Sequence, residues 1–176
     1  GDVTVGASTI AGNVFRDFAD DVNRDTGDTN VPGVPVTLTG VTFNGTTIAP
    51  ITVNTDADGN FIFEDLPAGT YTVTRGDVSE DYFEDGTNTN GNIGGADQGS
   101  SVSGNAIVDI VLPLASDSVD NIFRIVPQAR IGIAKSATVD SLNIDGSANV
   151  SFTMNVENFS IEELINVEVT DQLSGA

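Results

Sequence analysis

The chain reads as an all-β protein built from β-sandwiches, and three observations carry that reading. Its apolar residues are mostly Val, Ile and Phe, set among many Thr and Gly, which favour strands and turns. Short runs with every second residue apolar recur along the chain, each ended by a turn signal. No stretch carries a convincing helical repeat, and residues 160–164 have room for one helical turn at most. Many short strands separated by turn residues indicate sandwiches.

Taken in order, residues 1–9 (GDVTVGAST) are small and polar and read as a linker or tail. Strand character begins at Ile10 and runs to Phe15. An acidic loop, DFADDVNRDTGD, occupies residues 17–28. After a turn at Val31-Pro32-Gly33, the next strand places Val34, Val36 and Leu38 on one face and Thr37 and Thr39 on the other. Asn44-Gly45 is a hairpin turn, and residues 48–54 form the returning strand. A turn at Asp56-Ala57-Asp58-Gly59 leads into Phe61-Ile62-Phe63, and Pro67 and Gly69 mark the turn before a strand at 71–75. Residues 76–104 are rich in Gly, Asn and Asp and read as one long loop, either chelating metal or disordered. Strands resume at 106–112 and 119–126. Pro127-Gln128 is read as a boundary between a domain at 10–127 and a second at 128–176, whose strand candidates lie at 130–137, 148–156 and 165–170.

Composition narrows the function. The 176 residues carry 26 acidic and 6 basic side chains and no histidine, a formal charge of −20. Nucleic acid and anionic membrane surfaces are recognised by clustered Lys and Arg, so neither is expected as a partner; cations are. No run approaches a membrane span, and no membrane insertion is expected of this stretch. No secretory signal precedes Gly1, and targeting signals are expected outside the sequence. The absence of cysteine removes disulfides, thiol catalysis and thiolate metal sites. The absence of histidine removes ordinary zinc, copper and haem ligation together with His-based catalysis. Oxygen-only coordination remains, which means calcium or magnesium. The aspartates sit in turns among Gly, Asn and Thr, where nothing pushes paired carboxylate pKa values apart, so no enzyme activity is expected.

The acidic loop is the first candidate cation site. It packs five aspartates into twelve residues. With Asp17 as position one, oxygen-bearing residues fall at one, five, seven, nine and twelve: Asp17, Asp21, Asn23, Asp25 and Asp28. That is the ligand spacing of a twelve-residue calcium loop. Ala19 supplies no side-chain ligand at position three, and Val22 stands where the sharp turn prefers glycine. The alternative is a solvated acidic turn. A second candidate is Asp56 with Asp58, two apart in a tight turn with Gly59 beside them; an ordinary Asp-Gly hairpin turn is its alternative.

These residues also resemble a family. The runs AGNVFRDFADDVNRDTGDTNVPGVPVTLTG, TVNTDADGNFIFEDLPAGTYTVTR and DYFEDGTNTNGNIGGADQG, continued by IVDIVLPLASDSVDNIFRIV, look like the calcium-binding B repeats of serine-aspartate-repeat surface adhesins. The resemblance covers residues 10–127 and implies an Ig-like, prealbumin-like β-sandwich with long acidic loops. Asp17, Asp21, Asp25, Gly27 and Asp28 match the family's loop pattern, while Ala19 and Val22 break it, which implies weaker affinity or a ligand set using Asp20. It further implies that the segment Glu80-Asp81-Tyr82-Phe83-Glu84-Asp85, with Asp97, folds over the sandwich edge and shares cations through Asp81 and Asp85; a flexible solvated loop is the alternative.

Residues 129–176 resemble the opening half of an Ig-like repeat of unknown function found in tandem in large bacterial surface proteins, through IGIAKSATVD, VSFTMNVENFS and NVEVTDQLSGA. A partial second sandwich is therefore expected. Related surface domains use Lys–Asn isopeptide crosslinks, but the first domain has Arg16 near the corresponding place and no lysine. Lys135, the only lysine, would find its partner strand beyond the sequence and is read as an ordinary strand lysine. The resemblance implies a calcium-stabilised stalk or spacer of an extracellular bacterial surface protein, partnered by neighbouring domains of the same polypeptide. A ligand-binding adhesion module that contacts a host or cell-surface ligand, and homotypic assembly into a surface filament or layer, are the alternatives.

Overall fold

In the first unit, strands whose apolar residues alternate bury one face and wet the other. The computed structural model describes residues 7–78, 83–102, 104–161 and 163–172. The chain divides into two units, Gly1–Val126 and Pro127–Ala176. Among the described residues there is no helix. The strands of the first unit are β1 (Ser8–Arg16), β2 (Thr29–Asn30), β3 (Pro35–Thr42), β4 (Thr47–Asn54), β5 (Asn60–Leu66), β6 (Gly69–Arg75), β7 (Phe83–Asp85), β8 (Gly91–Ile93), β9 (Ala96–Gln98), β10 (Ser100–Val102), β11 (Ala106–Leu112) and β12 (Asp117–Pro127).

They form two sheets. One follows the order β2-β1-β12-β8-β9, with β5 also beside β1 and β7 beside β12; the other follows β10-β11-β6-β3-β4. The β1–β12 pairing is parallel, with Val14 opposite Phe123 and Phe15 opposite Arg124. Between the sheets lies one apolar core: Ile10, Val14, Phe61, Phe63, Phe123 and Ile125 from the first sheet meet Val36, Leu38, Tyr71, Val73, Ile107, Ile110 and Leu112 from the second. Strand β6 shows the pattern cleanly, with Gly69, Tyr71, Val73 and Arg75 buried and the threonines between them half-buried. The architecture is an all-β sandwich.

Two expectations need correction. Residues 76–104 are not one structureless loop: β7 to β10 lie within them, β8 and β9 join through Gly94 and Gly95, both at positive φ, and Thr89 exchanges two backbone hydrogen bonds with Ile122. A composition poor in aliphatics conceals such strands, because β7 and β8 pair with β12 and β10 with β11, which are themselves well marked, and β9 follows β8. In the second unit, residues 165–170 are not a strand. A strand needs a neighbour for its ladder, and that unit's described sheet is a single hairpin of β13 (Ile131–Leu142) and β14 (Ala148–Asn158).

The hairpin is amphipathic. Ile131, Ile133, Ala137 and Val139 share a face with Val150, Phe152, Met154 and Val156, and all the large members of that row are exposed. Lys135 lies in the same row, with Nζ 2.8 and 2.7 Å from the two carboxylate oxygens of Asp171 and 4.6 Å from the centroid of the Phe152 ring.

Bulges bend the first unit's strands. The β11–β6 register shifts between Ile107 and Ile110, and Asp109 there has φ +56°. Left-handed backbone costs a β-branched residue roughly 1–2 kcal/mol. Asp109→Val is therefore expected to lower unfolding free energy by about that amount, and Asp109→Gly to leave it unchanged or raise it, as read by urea denaturation.

Candidate cation site

The acidic loop leaves the end of β1 through Asp17, whose backbone N–H donates to Ile125 O at 2.9 Å, pinning the loop's start to β12. The Asp17 side chain is wholly buried. Its Oδ2 accepts from the Val22 backbone N–H at 3.2 Å and from Arg124 Nη1 at 3.2 Å, while Oδ1 is buried with no protein partner. At the other end, Asp28 closes the loop: Oδ1 accepts from the Phe18 N–H at 3.1 Å and Oδ2 from the Asp25 N–H at 2.8 Å. Asp21 caps its own turn by accepting from the Asn23 N–H at 3.0 Å.

Asp25 feels the other carboxylates of the loop. Asp25's pKa is raised above its ordinary value, first by the charge of Asp21, then by burial and by Asp28, with a further contribution from Asp17. Val22 has φ +80°, the left-handed conformation in which a β-branched residue is an outlier. The position where a calcium loop prefers glycine thus takes a glycine-like backbone with valine in it. Among the described residues, no group of three or more acidic side chains is arranged to hold a metal ion.

The second candidate turn is docked beside the first. Asn13 on β1 donates to Asp58 O at 2.9 Å and to Asn60 Oδ1 at 2.8 Å, and accepts from Arg24 Nη1 of the acidic loop at 2.8 Å. A Cβ on Gly59, at φ +76°, would lie 2.4 Å from Val14 O, so only glycine lets the turn sit this close to β1. Asp56 Oδ1 accepts from the N–H groups of Asp58 and Asn60 at 2.9 and 2.8 Å, and these bonds lower its pKa. Asp56 therefore serves as the cap of its own turn.

Of the third group, Asp81 lies outside the described residues, as do Glu80 and Tyr82. Asp97 is on β9 opposite Asn92. Asp85 is the counter-ion of the buried Arg75, which its Oδ1 contacts through Nη2. With Asp20, Glu84 and Asn88 it lines a pocket of about 430 Å³. The Asn88 side chain is buried, its amide donates to Gly104 O at 2.9 Å, and its Oδ1 has no partner.

Sequence reasoning passed over Arg124, Arg75 and Asn88. The available signal was an arginine inside an otherwise apolar strand run, Ile122-Phe123-Arg124-Ile125-Val126, in a chain with few cations.

Relief of the left-handed strain is worth about 1–2 kcal/mol, offset in part by glycine's greater freedom when unfolded. Val22→Gly is expected to raise unfolding free energy by about 0.5–1 kcal/mol in chemical denaturation. Asp56 has a lowered pKa, so its stabilising effect is present above the ordinary carboxylate pKa and fades as pH falls through the lowered value. Asp56→Ala should accordingly melt below wild type at pH 7, with the gap closing in acid.

Solved structures overlap the chain loosely: shaft pilin SpaA from Lactobacillus rhamnosus GG (TM-score 0.41, 10% identity, covering 89% of this chain and 80% of that one) and major pilin SpaD from Corynebacterium diphtheriae (TM-score 0.39, 14% identity, 86% and 38%). The plantain pollen allergen Pla l 1 overlaps as loosely (TM-score 0.40, 15% identity, 68% and 94%). These overlaps are too distant to carry an argument. No curated protein matches the chain. Residues 8–122, by contrast, match the model of the SdrD B-like domain, spanning the sandwich from β1 into β12, and the chain belongs to that family.

Proposed function

We propose that the chain is a calcium-stabilised structural module, a stalk or spacer, of an extracellular bacterial surface protein. One observation carries the calcium reading: a wholly buried carboxylate oxygen without a partner, Asp17 Oδ1, stands at the head of a loop whose other carboxylates repel one another. A divalent ion would satisfy the first and reverse the second. Asp17, Asp21, Asp25 and Asp28 would hold it, with Asn23 offering its backbone carbonyl, and the positive φ at Val22 suits such a turn. Asp20, Glu84, Asp85 and Asn88, which line one pocket, are the residues for a further ion. Asp56 and Asp58 have the weaker claim, because Asp56 already caps its turn.

Family membership supports a structural surface role over a catalytic one. Extracellular calcium suits even weak sites, of roughly 10⁻⁴–10⁻³ M. The partners proposed are neighbouring domains of the same polypeptide. A second reading, homotypic assembly, is favoured by the exposed apolar row Ile133, Val139, Val150, Phe152 and Val156 on the β13–β14 hairpin; oligomers that grow with concentration in light scattering would support it.

Calcium at about a hundredfold its dissociation constant should raise the melting temperature by roughly 10 °C per site and slow proteolysis, both reversed by chelator. Indifference to chelator would sink the reading. Because ionised Asp25 is disfavoured by its neighbours, Asp25→Asn should melt above wild type in chelator and below it in calcium, crossing over between the two conditions.

A further inference from the structure

Arg124 sits on β12 between the inward-facing Phe123 and Ile125, so its side chain leaves from the outer face of the sheet. It is nevertheless only 1% exposed. Two acidic segments roof it. The loop begins at Asp17, bonded to Ile125 O, and Gly86 donates to Arg124 O at 3.0 Å. The roof is held together by Phe18 and Phe83, whose rings meet edge-to-face at 5.8 Å.

A buried guanidinium needs a counter-charge, and Asp17 supplies it through one contact, Nη1 to Oδ2 at 3.2 Å. The pair is incomplete on both sides. Arg124 Nε and Nη2 and Asp17 Oδ1 are all buried without protein partners. Arginine and carboxylate usually satisfy one another by two parallel hydrogen bonds; here each keeps unused capacity. Asp17 thus faces a fixed cation with one oxygen and has the other free for a second cation.

We propose that Arg124 is the resident counter-cation of Asp17, standing in for the loop's divalent ion when that ion is absent; this rests on the calcium reading above. Without calcium, the guanidinium alone compensates the buried carboxylate, and the sandwich keeps its fold. With calcium, Asp17 is shared between the two cations. The device makes calcium dependence graded, where an uncompensated Asp17 would make folding itself conditional on the ion.

The test compares melting of the 176-residue chain and its Arg124→Met variant in chelator and in saturating calcium. In chelator the variant should melt about 10–20 °C lower, because the buried carboxylate loses the guanidinium it is paired with. In calcium it should recover at least half of that loss, so the calcium-induced rise exceeds that of wild type. An Asp17→Asn/Arg124→Met double variant should regain most of the loss in chelator and respond less to calcium than Arg124→Met. A calcium-induced rise in Arg124→Met equal to or smaller than that of wild type would overturn the proposal, since Arg124 would then only pack or position. So would a variant unfolded in both conditions, or a double variant no more stable than the single one in chelator. If wild type does not respond to calcium, the calcium reading fails, and recovery in the double variant still reports whether Arg124 compensates Asp17.

Discussion

A chain of net charge −20 folds only if its few cations are well placed, and two of the six basic residues are buried where acidic segments meet the sheets. Arg124 on β12 holds Asp17 at the start of the acidic loop, and Arg75 at the end of β6 holds Asp85 at the end of β7. One arginine belongs to each sheet. Breaking the Arg124–Asp17 pair, buried on both sides, would strand a charge away from water at a cost of several kcal/mol, whereas the half-exposed Asp85 makes the second pair the weaker tie. The acidic segments are therefore anchored to the framework through these two side chains. Arg24 adds a third tie, bonding Asn13 and Asn30 and lying 5.2 Å from the Phe15 ring centroid.

The anchored loop is not relaxed. Valine occupies a left-handed position, one buried carboxylate oxygen has no partner, and Asp25 is held among like charges. Each of these costs free energy in the ion-free chain, and each concerns the same twelve residues. Strain gathered in this way is expected where a ligand offsets it. By contrast, the neighbouring Asp56 turn is satisfied by its own amides and stores no comparable cost. That contrast separates the two turns, although both show closely spaced aspartates.

The second unit obeys different constraints. Its described sheet is a two-stranded hairpin with one apolar face, which on its own is marginally stable in water. Lys135 interrupts that face and is accommodated by the Phe152 ring and the Asp171 carboxylate together. The ammonium group is thus engaged twice, by the Asp171 carboxylate and by the face of the Phe152 ring.

Period-two alternation and turn chemistry were enough to determine the sandwich class and to mark the acidic loop, because a strand's burial pattern and a turn's φ requirements are local properties. Phe61-Ile62-Phe63, Gly59 and the spacing from Asp17 to Asp28 were legible for that reason. Partner choice is not local. Which carboxylate meets which arginine depends on residues 107 positions apart, as with Asp17 and Arg124, and so does the identity of the oxygen left over. The short strands between residues 83 and 102 escaped notice because their ladders are completed by other strands. Residues 165–170 looked like a strand, but local pattern cannot supply the neighbour a strand requires. Sequence determined where the charges are; tertiary structure decided which of them are compensated.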